Sequence, residues 1–233
     1  MARLFVHVEG ETEETFVTEI LRPHLFGVGF HAVSPKLLGN ARARAQRGGI
    51  RNWASASEDI LRHLKEDQNL FSTVMVDYYA LPKTGANAWP GRDAPENLTS
   101  SEKGKRVEAA ILKDIAARLG TTPELCRFIP FVMMYEFEAL LFSDCQAFAD
   151  GVGMSGLAPK LFAIRNAFST PEEINDSPDT APSKRVEALM PGYQKPLYGN
   201  VAASQIGLAA IRAECANFAD WLSRLEALPH AAA

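Results

Sequence analysis

Apolar and polar positions along the chain fall into two textures. From the N-terminus to about residue 144, short apolar runs alternate with amphipathic stretches. Beyond that point the chain reads as helical segments broken by Pro and Gly. Leu4 to Val8 is apolar except at His7 and rich in β-branched residues, which predicts a buried strand, with His7 expected as a hydrogen-bonded core residue. Gly10 ends the run. Thr12 is placed to cap a helix with Glu13 and Glu14 in its first turn, where the macrodipole favours acids. Phe16, Val17, Ile20 and Leu21 make its apolar stripe, and Pro23 is expected to stop it. Phe71 to Val76 predicts a second strand and Phe128 to Met134 a third, with Pro130 disturbing the start of the latter.

Helical spacing covers Trp53 to Lys65 and Glu102 to Leu119, the second closing on Gly120, and Tyr135–Leu141 reads as a helix start. Residues 39 to 51 are loop-like. Residues 78 to 100, with Pro82, Gly85, Pro90, Gly91 and Pro95, have no regular pattern, and a loop of that length is usually functional or mobile. After Asp144 two helices stand out, Pro182 to Leu189 and Gln205 to Leu228, the latter with a break near Cys215. A strand, tight turn and helix at the start of the chain indicate an α/β sheet. The expected organisation is an α/β core over 1–144 and a helical extension over 145–233, packed as one structural unit.

Composition narrows the class. The chain has 233 residues, 47% hydrophobic and 22% charged, which excludes disorder and is enough for a full core. Its formal charge is −4, so a nucleic-acid contact needs a local basic patch. Arg42, Arg44, Arg47 and Arg51 form such a run without an intervening acid; a solvated surface loop explains them equally well. Three scattered cysteines exclude a zinc ribbon or a disulfide framework and suit reduced cytoplasmic thiols. No apolar run reaches membrane-spanning length, and the N-terminus lacks the features of a signal peptide.

The chemistry concentrates in acids at predicted strand ends. Glu9 follows the first strand, Asp77 the second, and Glu136 and Glu138 the third. Sites in open parallel sheets form outside the carboxyl ends of the strands. Glu13, four residues after Glu9, is one helical turn from the same place. Taken singly, each acid has a plain structural role as a first-turn helix acid or a loop cap. Taken together, several carboxylates in one place need a cation between them or raised pKa values, and oxygen-only donors favour magnesium or manganese.

Val8-Glu9-Gly10-Glu11-Thr12-Glu13, Val76-Asp77-Tyr78-Tyr79 and Glu136-Phe137-Glu138 resemble the motifs of a TOPRIM domain. More narrowly, the chain is similar to a standalone bacterial TOPRIM-like family related to the nuclease domain of OLD (overcoming lysogenization defect) proteins. The resemblance implies a TOPRIM-like (Rossmann-like), mostly parallel sheet flanked by helices, with a helical C-terminal extension. It implies that Glu9 is a metal ligand or general acid/base and that Glu13 is the second glutamate of OLD-type nucleases. Asp77 matches the first member of the magnesium-binding Asp-x-Asp pair, but Tyr79 stands where the second aspartate belongs. Glu136 or Glu138 is then the candidate for the lost oxygen. The late lysine of OLD-type nucleases corresponds to Lys195, with Lys184 as the alternative.

The implied activity is metal-dependent phosphodiester cleavage of DNA, in anti-phage defence or DNA processing, beside a separately encoded ATPase. A catalytically inactive partner subunit that binds metal or nucleic acid is the alternative, and a nucleotidyl-transfer enzyme is a third reading. Tyr78, Tyr79 and Trp89 are candidates for stacking on unpaired bases, against the commoner fate of packing within their own domain. Gly151 to Gly156 spells a GxGxxG, but the preceding residues are polar and helix-like, so no dinucleotide fingerprint is expected.

Overall fold

The computed structural model describes residues 2–38, 52–174, 177 and 179–231. Four strands form one sheet in the order β2-β1-β3-β4: β1 (Arg3–Val8), β2 (Ala32–Leu37), β3 (Leu70–Asp77) and β4 (Phe131–Met133). Every pairing is parallel, with Arg3 opposite Ala32 on one side of β1 and opposite Leu70 on the other. The chain steps from β1 to one neighbour and then returns to the other side. The carboxyl ends of β1 and β3 therefore flank the point where the strand order reverses, the usual place for a site in such sheets.

Both faces of the sheet are covered, which is why its central strands read as nearly unbroken apolar runs. Alternate side chains enter different cores. Met75, Phe131 and Met133 join one cluster, while Val74, Val76 and Val132 join the other. The second cluster is closed by α3 (Trp53–Glu66) and α4 (Ser100–Leu119). Thr99 caps α4 through the Glu102 amide, and Gly120 ends it in the left-handed region at φ 69°.

The first cluster takes in helices from both ends of the chain: α1 (Glu11–Phe16), α2 (Arg22–Gly27), α5 (Glu138–Leu141), α6 (Cys145–Gly151), α7 (Ala158–Arg165), α8 (Pro182–Leu189), α9 (Asn200–Glu214) and α10 (Ala216–Ala231). The expected break at Cys215 separates α9 from α10. Trp221 of α10 stacks on Phe131 with ring centroids 4.7 Å apart, and its indole N–H donates to Thr73 Oγ1 of β3 at 3.0 Å. Buried Glu172 accepts from the Asn217 and Phe218 amides at the start of α10. The helical half and the sheet thus share one apolar interior. Among the described residues no helix is long and apolar enough to cross a membrane, and Cys126, Cys145 and Cys215 are free thiols.

Two helix expectations need correction, one strand went unseen, and His7 departs from its expected hydrogen bonding at one ring nitrogen. Pro23 does not stop the first helix. A π-helical turn over Val17–Leu21 joins α1 to α2, and Pro23 sits in the first turn of α2, where a missing N–H costs least. Thr12 is not its cap: Gly10 precedes the helix, and Thr12 lies buried in its first turn. β2 was invisible to the periodicity because Ser34, Pro35 and Lys36 interrupt it; Pro35 is tolerated because β2 is an edge strand. His7 is buried, as expected, with its ring stacked 5.4 Å from that of His63, but its Nε2 has no hydrogen-bond partner among the described residues. Burial, helped by His63, Lys36 and Arg62, lowers its pKa to about 3, so it is neutral.

Candidate functional site

The site is built from three strand ends and one distant turn. Glu9 leaves β1 directly. Asp77 is the last residue of β3, and its Oδ1 accepts from the Phe137 amide at 2.9 Å, tying β3 to the segment that follows β4. Glu13 lies in the first turn of α1, where its Oε2 accepts from the Gly10 amide at 3.2 Å. Its other oxygen is left for the site, so the helix-start role and the functional role foreseen for this residue coexist.

Lys195 opens a π-helical turn, Lys195–Gly199, that runs into α9. Its ammonium lies 3.1 Å from Asp77 Oδ2, 3.2 Å from Glu138 Oε2 and 3.8 Å from Glu13 Oε1. Three carboxylates from separate parts of the chain are thus bridged by one cation. Gly199 lets this turn approach: a Cβ there would stand 3.0 Å from the Tyr193 hydroxyl oxygen and 3.5 Å from Phe137 Cε1.

Glu138 is fully buried, and the Tyr193 hydroxyl donates to its Oε1 at 3.5 Å. Glu136, two residues earlier, is only half-buried and accepts from the Ser183 amide at 2.9 Å, at the start of α8. Both glutamates line the cleft, but only Glu138 reaches the ammonium. Lys184, the other lysine considered, is exposed and pairs with Glu187 at 2.7 Å.

Electrostatics follow from burial. Desolvation pushes the Glu138 carboxyl up to about 7 against the pull of Lys195, with Asp77 and Glu136 adding to the rise. Glu13 is raised for the same reason, again against Lys195. Burial of Lys195 works against its charge, but Asp77, Glu138 and Glu13 together outweigh it and hold the ammonium well above the usual lysine range. Burial and the neighbouring Glu138 raise the Tyr193 phenol, which keeps its proton.

These side chains surround a cleft of about 300 Å³ lined by Glu9, Asp77, Tyr79, Glu136, Glu138 and Lys195, with Ala80, Ser183, Glu187 and Tyr193 completing the wall. Sequence reasoning did not single out Ser183, Glu187 or Tyr193. Tyr193 was the most accessible of them, since it shares the Gly192–Asn200 loop with Lys195. Of the proposed base-stacking aromatics, Tyr79 lines the cleft. Trp89 is buried against Trp53 at 4.9 Å, and Tyr78 is buried beneath Arg92, so neither presents a free face here. Arg42, Arg44, Arg47 and Arg51 lie outside the described residues.

Among the described residues no group of three or more His, Cys, Asp or Glu side chains stands ready to hold a metal ion. The donor chemistry nevertheless suits a hard cation. The cleft offers only oxygen donors, its carboxylates outnumber its single lysine, and two of the acids around Lys195 are already driven towards protonation. Glu9, Asp77, Glu136 and Glu138 are the residues able to supply oxygen to such an ion.

A family profile described as Domain of unknown function (DUF4276) matches residues 8–226. The chain belongs to this family. No curated protein and no solved structure matches it. The matched stretch starts at the last residue of β1, takes in β2 to β4 and most of the helices that share their core, and includes every residue of the cleft.

Proposed function

We propose that this family member is a divalent-cation-dependent phosphodiesterase that cleaves nucleic acid, DNA in the first instance, in the cytoplasm and beside a separately encoded ATPase. The observation carrying this reading is the meeting of Asp77, Glu138, Glu13 and Lys195 at the carboxyl ends of β1 and β3. The TOPRIM-like and OLD-like motif resemblance supplies the reaction class. Bound by Glu9, Asp77, Glu136 and Glu138, magnesium or manganese would polarise a phosphate and ease deprotonation of water. Lys195 balances the carboxylates before substrate arrives and meets phosphate charge afterwards. Tyr79, on the wall of the same cleft, offers a ring to an unpaired base.

The test uses supercoiled plasmid and single-stranded DNA with magnesium or manganese. Cleavage is expected, abolished by EDTA and reduced by about 100-fold or more in Glu9→Ala and Asp77→Asn proteins with unchanged circular dichroism. A wild type that cleaves neither substrate with either metal, alone or with its ATPase, overturns the reading.

A second reading is favoured by one observation: Tyr79 stands where the motif needs a second aspartate, and Lys195 already bridges the carboxylates. On that reading the chain is a non-cleaving subunit. Its signature is manganese-dependent thermal stabilisation that Asp77→Asn removes, without cleavage by wild type.

A further inference from the structure

The acidic cleft has a larger neighbour among the described residues. A second opening of about 540 Å³ is lined by Tyr78, Lys83, Thr84, Arg92, Asp93 and Lys103, together with Ala94 and Glu96. The two clefts share a wall. Asp77, Tyr79 and Ala80 face the acidic cleft, while Tyr78, between them in sequence, faces this one. The short turn Tyr78–Ala80 contributes residues to both.

Its cations are held in a defined arrangement. Arg92 is 4% exposed; its Nε donates to the Tyr78 carbonyl at 3.0 Å, and its guanidinium lies 3.6 Å over the Tyr78 ring. Gly91 clamps the preceding loop onto α4. Its φ is +77°, and a Cβ there would stand 2.7 Å from the Arg106 carbonyl and 3.0 Å from Val107 Cα. Arg92 follows this clamp directly, and Lys103, from the first turn of α4, lines the same opening. Lys83 and Lys103 have no ion pair with any described residue, whereas Asp93 is engaged by Arg106 at 3.4 Å. Glu96 is the remaining acid on the wall.

Three cationic side chains and a threonine hydroxyl facing one opening match phosphate oxygens, and an adjoining carboxylate cleft repels the same anion unless a cation fills it. We propose that this second cleft is a phosphate subsite that grips a nucleic-acid strand one step from the acidic cleft, through Lys83 and Lys103, with the charge of Arg92 behind them in the wall. The proposal rests on the phosphodiesterase reading for its choice of polymer. It assigns the irregular 78–100 segment to substrate grip.

The experiment measures binding of a short labelled oligothymidylate by fluorescence anisotropy, in EDTA and across a salt series, so that no cleavage is needed. Lys83→Gln/Lys103→Gln is compared with a control pair, Lys113→Gln/Lys160→Gln, taken from exposed positions elsewhere. The cleft pair is expected to weaken binding by about tenfold at low salt and to flatten the log–log salt slope by about 1.4, with little change in the control. Equal losses in both pairs, or no loss in either, overturn the subsite.

Inorganic phosphate, followed by thermal shift, separates a free anion from a strand. Stabilisation by phosphate without any loss of oligonucleotide affinity in the cleft variant also overturns the proposal. If wild type binds through these lysines yet never cleaves, the cleavage reading fails and the subsite stands. Cleavage that the cleft variant retains in full, with unchanged affinity, sinks the subsite alone.

Discussion

At the scale of single residues, Lys195 is the pivot of the candidate site. Among the described residues it is the only cation lining a cleft walled by Glu9, Asp77, Glu136, Glu138 and Glu187. Removing one partner of such a cluster leaves the others charged and poorly solvated. Lys195→Met is therefore expected to destabilise the fold by about 2 kcal/mol, below the 3–5 typical of fully buried pairs because its side chain is 33% exposed. Glu138→Gln in the Lys195→Met background should recover part of that loss, and urea denaturation of the four proteins measures the coupling. Additive single-variant effects would mean that the ammonium and Glu138 do not interact. Much of this cluster was legible in advance because strand ends are where such sites form, so Glu9, Asp77 and the 136/138 pair could be named from the apolar runs that precede them. Lys195 came only through the family resemblance: no periodicity links a loop lysine to an aspartate 118 positions away. The choice between Glu136 and Glu138 depended on the chain's path after β4, and a two-residue shift there exchanges the group that meets Lys195 for the one that caps α8.

At the scale of elements, β4 is a short edge strand whose outward amide needs an acceptor. Glu108 on α4 supplies it, with Oε1 accepting from the Val132 amide at 2.9 Å. Burial pushes this carboxyl up to about 7, against the Val132 hydrogen bond and Arg224, while Asp220 adds to the rise. The folded state therefore keeps a proton that the unfolded chain releases near its ordinary value of 4.5. Stability from this group is complete below that value and is lost as pH rises through about 7. Glu108→Gln retains an acceptor for Val132 without the charge. It should match wild type in acid and exceed it by about 2 kcal/mol at pH 8, as read from urea midpoints. A variant equally less stable at both pH values would show that the carboxylate, rather than its neutral form, suits this place. The helices with clear 3.6-residue spacing were legible, down to the Gly120 cap and the break at Cys215. β2 was not, since an edge strand can carry Ser, Pro and Lys without losing its ladder. Nor was the continuation past Pro23, because a π turn leaves no apolar signature.

At the scale of the whole molecule, the question is whether the sheet and the C-terminal helices unfold together. The first core cluster joins β1 residues such as Leu4 and Val6 to Cys215, Phe218, Trp221 and Leu225, so neither half buries its apolar face alone. Lys195 adds a polar tie between the same halves. Trp221 is the best place to test this. Trp221→Phe removes the hydrogen bond to Thr73 and part of the stacked surface on Phe131, for an expected loss of about 1–2 kcal/mol. The substitution also leaves Trp53 and Trp89 as the only tryptophans, and both lie in the cluster on the other side of the sheet. Intrinsic fluorescence then reports the α3–α4 side, while far-ultraviolet circular dichroism is dominated by helices that mostly pack on the opposite face. A single cooperative unit requires both probes to shift together to the same lower urea midpoint. If dichroism falls early while the Trp53–Trp89 signal keeps the wild-type midpoint, the C-terminal helices melt on their own. Lys195 would then leave Asp77 before the sheet is lost, and the candidate site would come apart in a molecule whose parallel sheet is still intact.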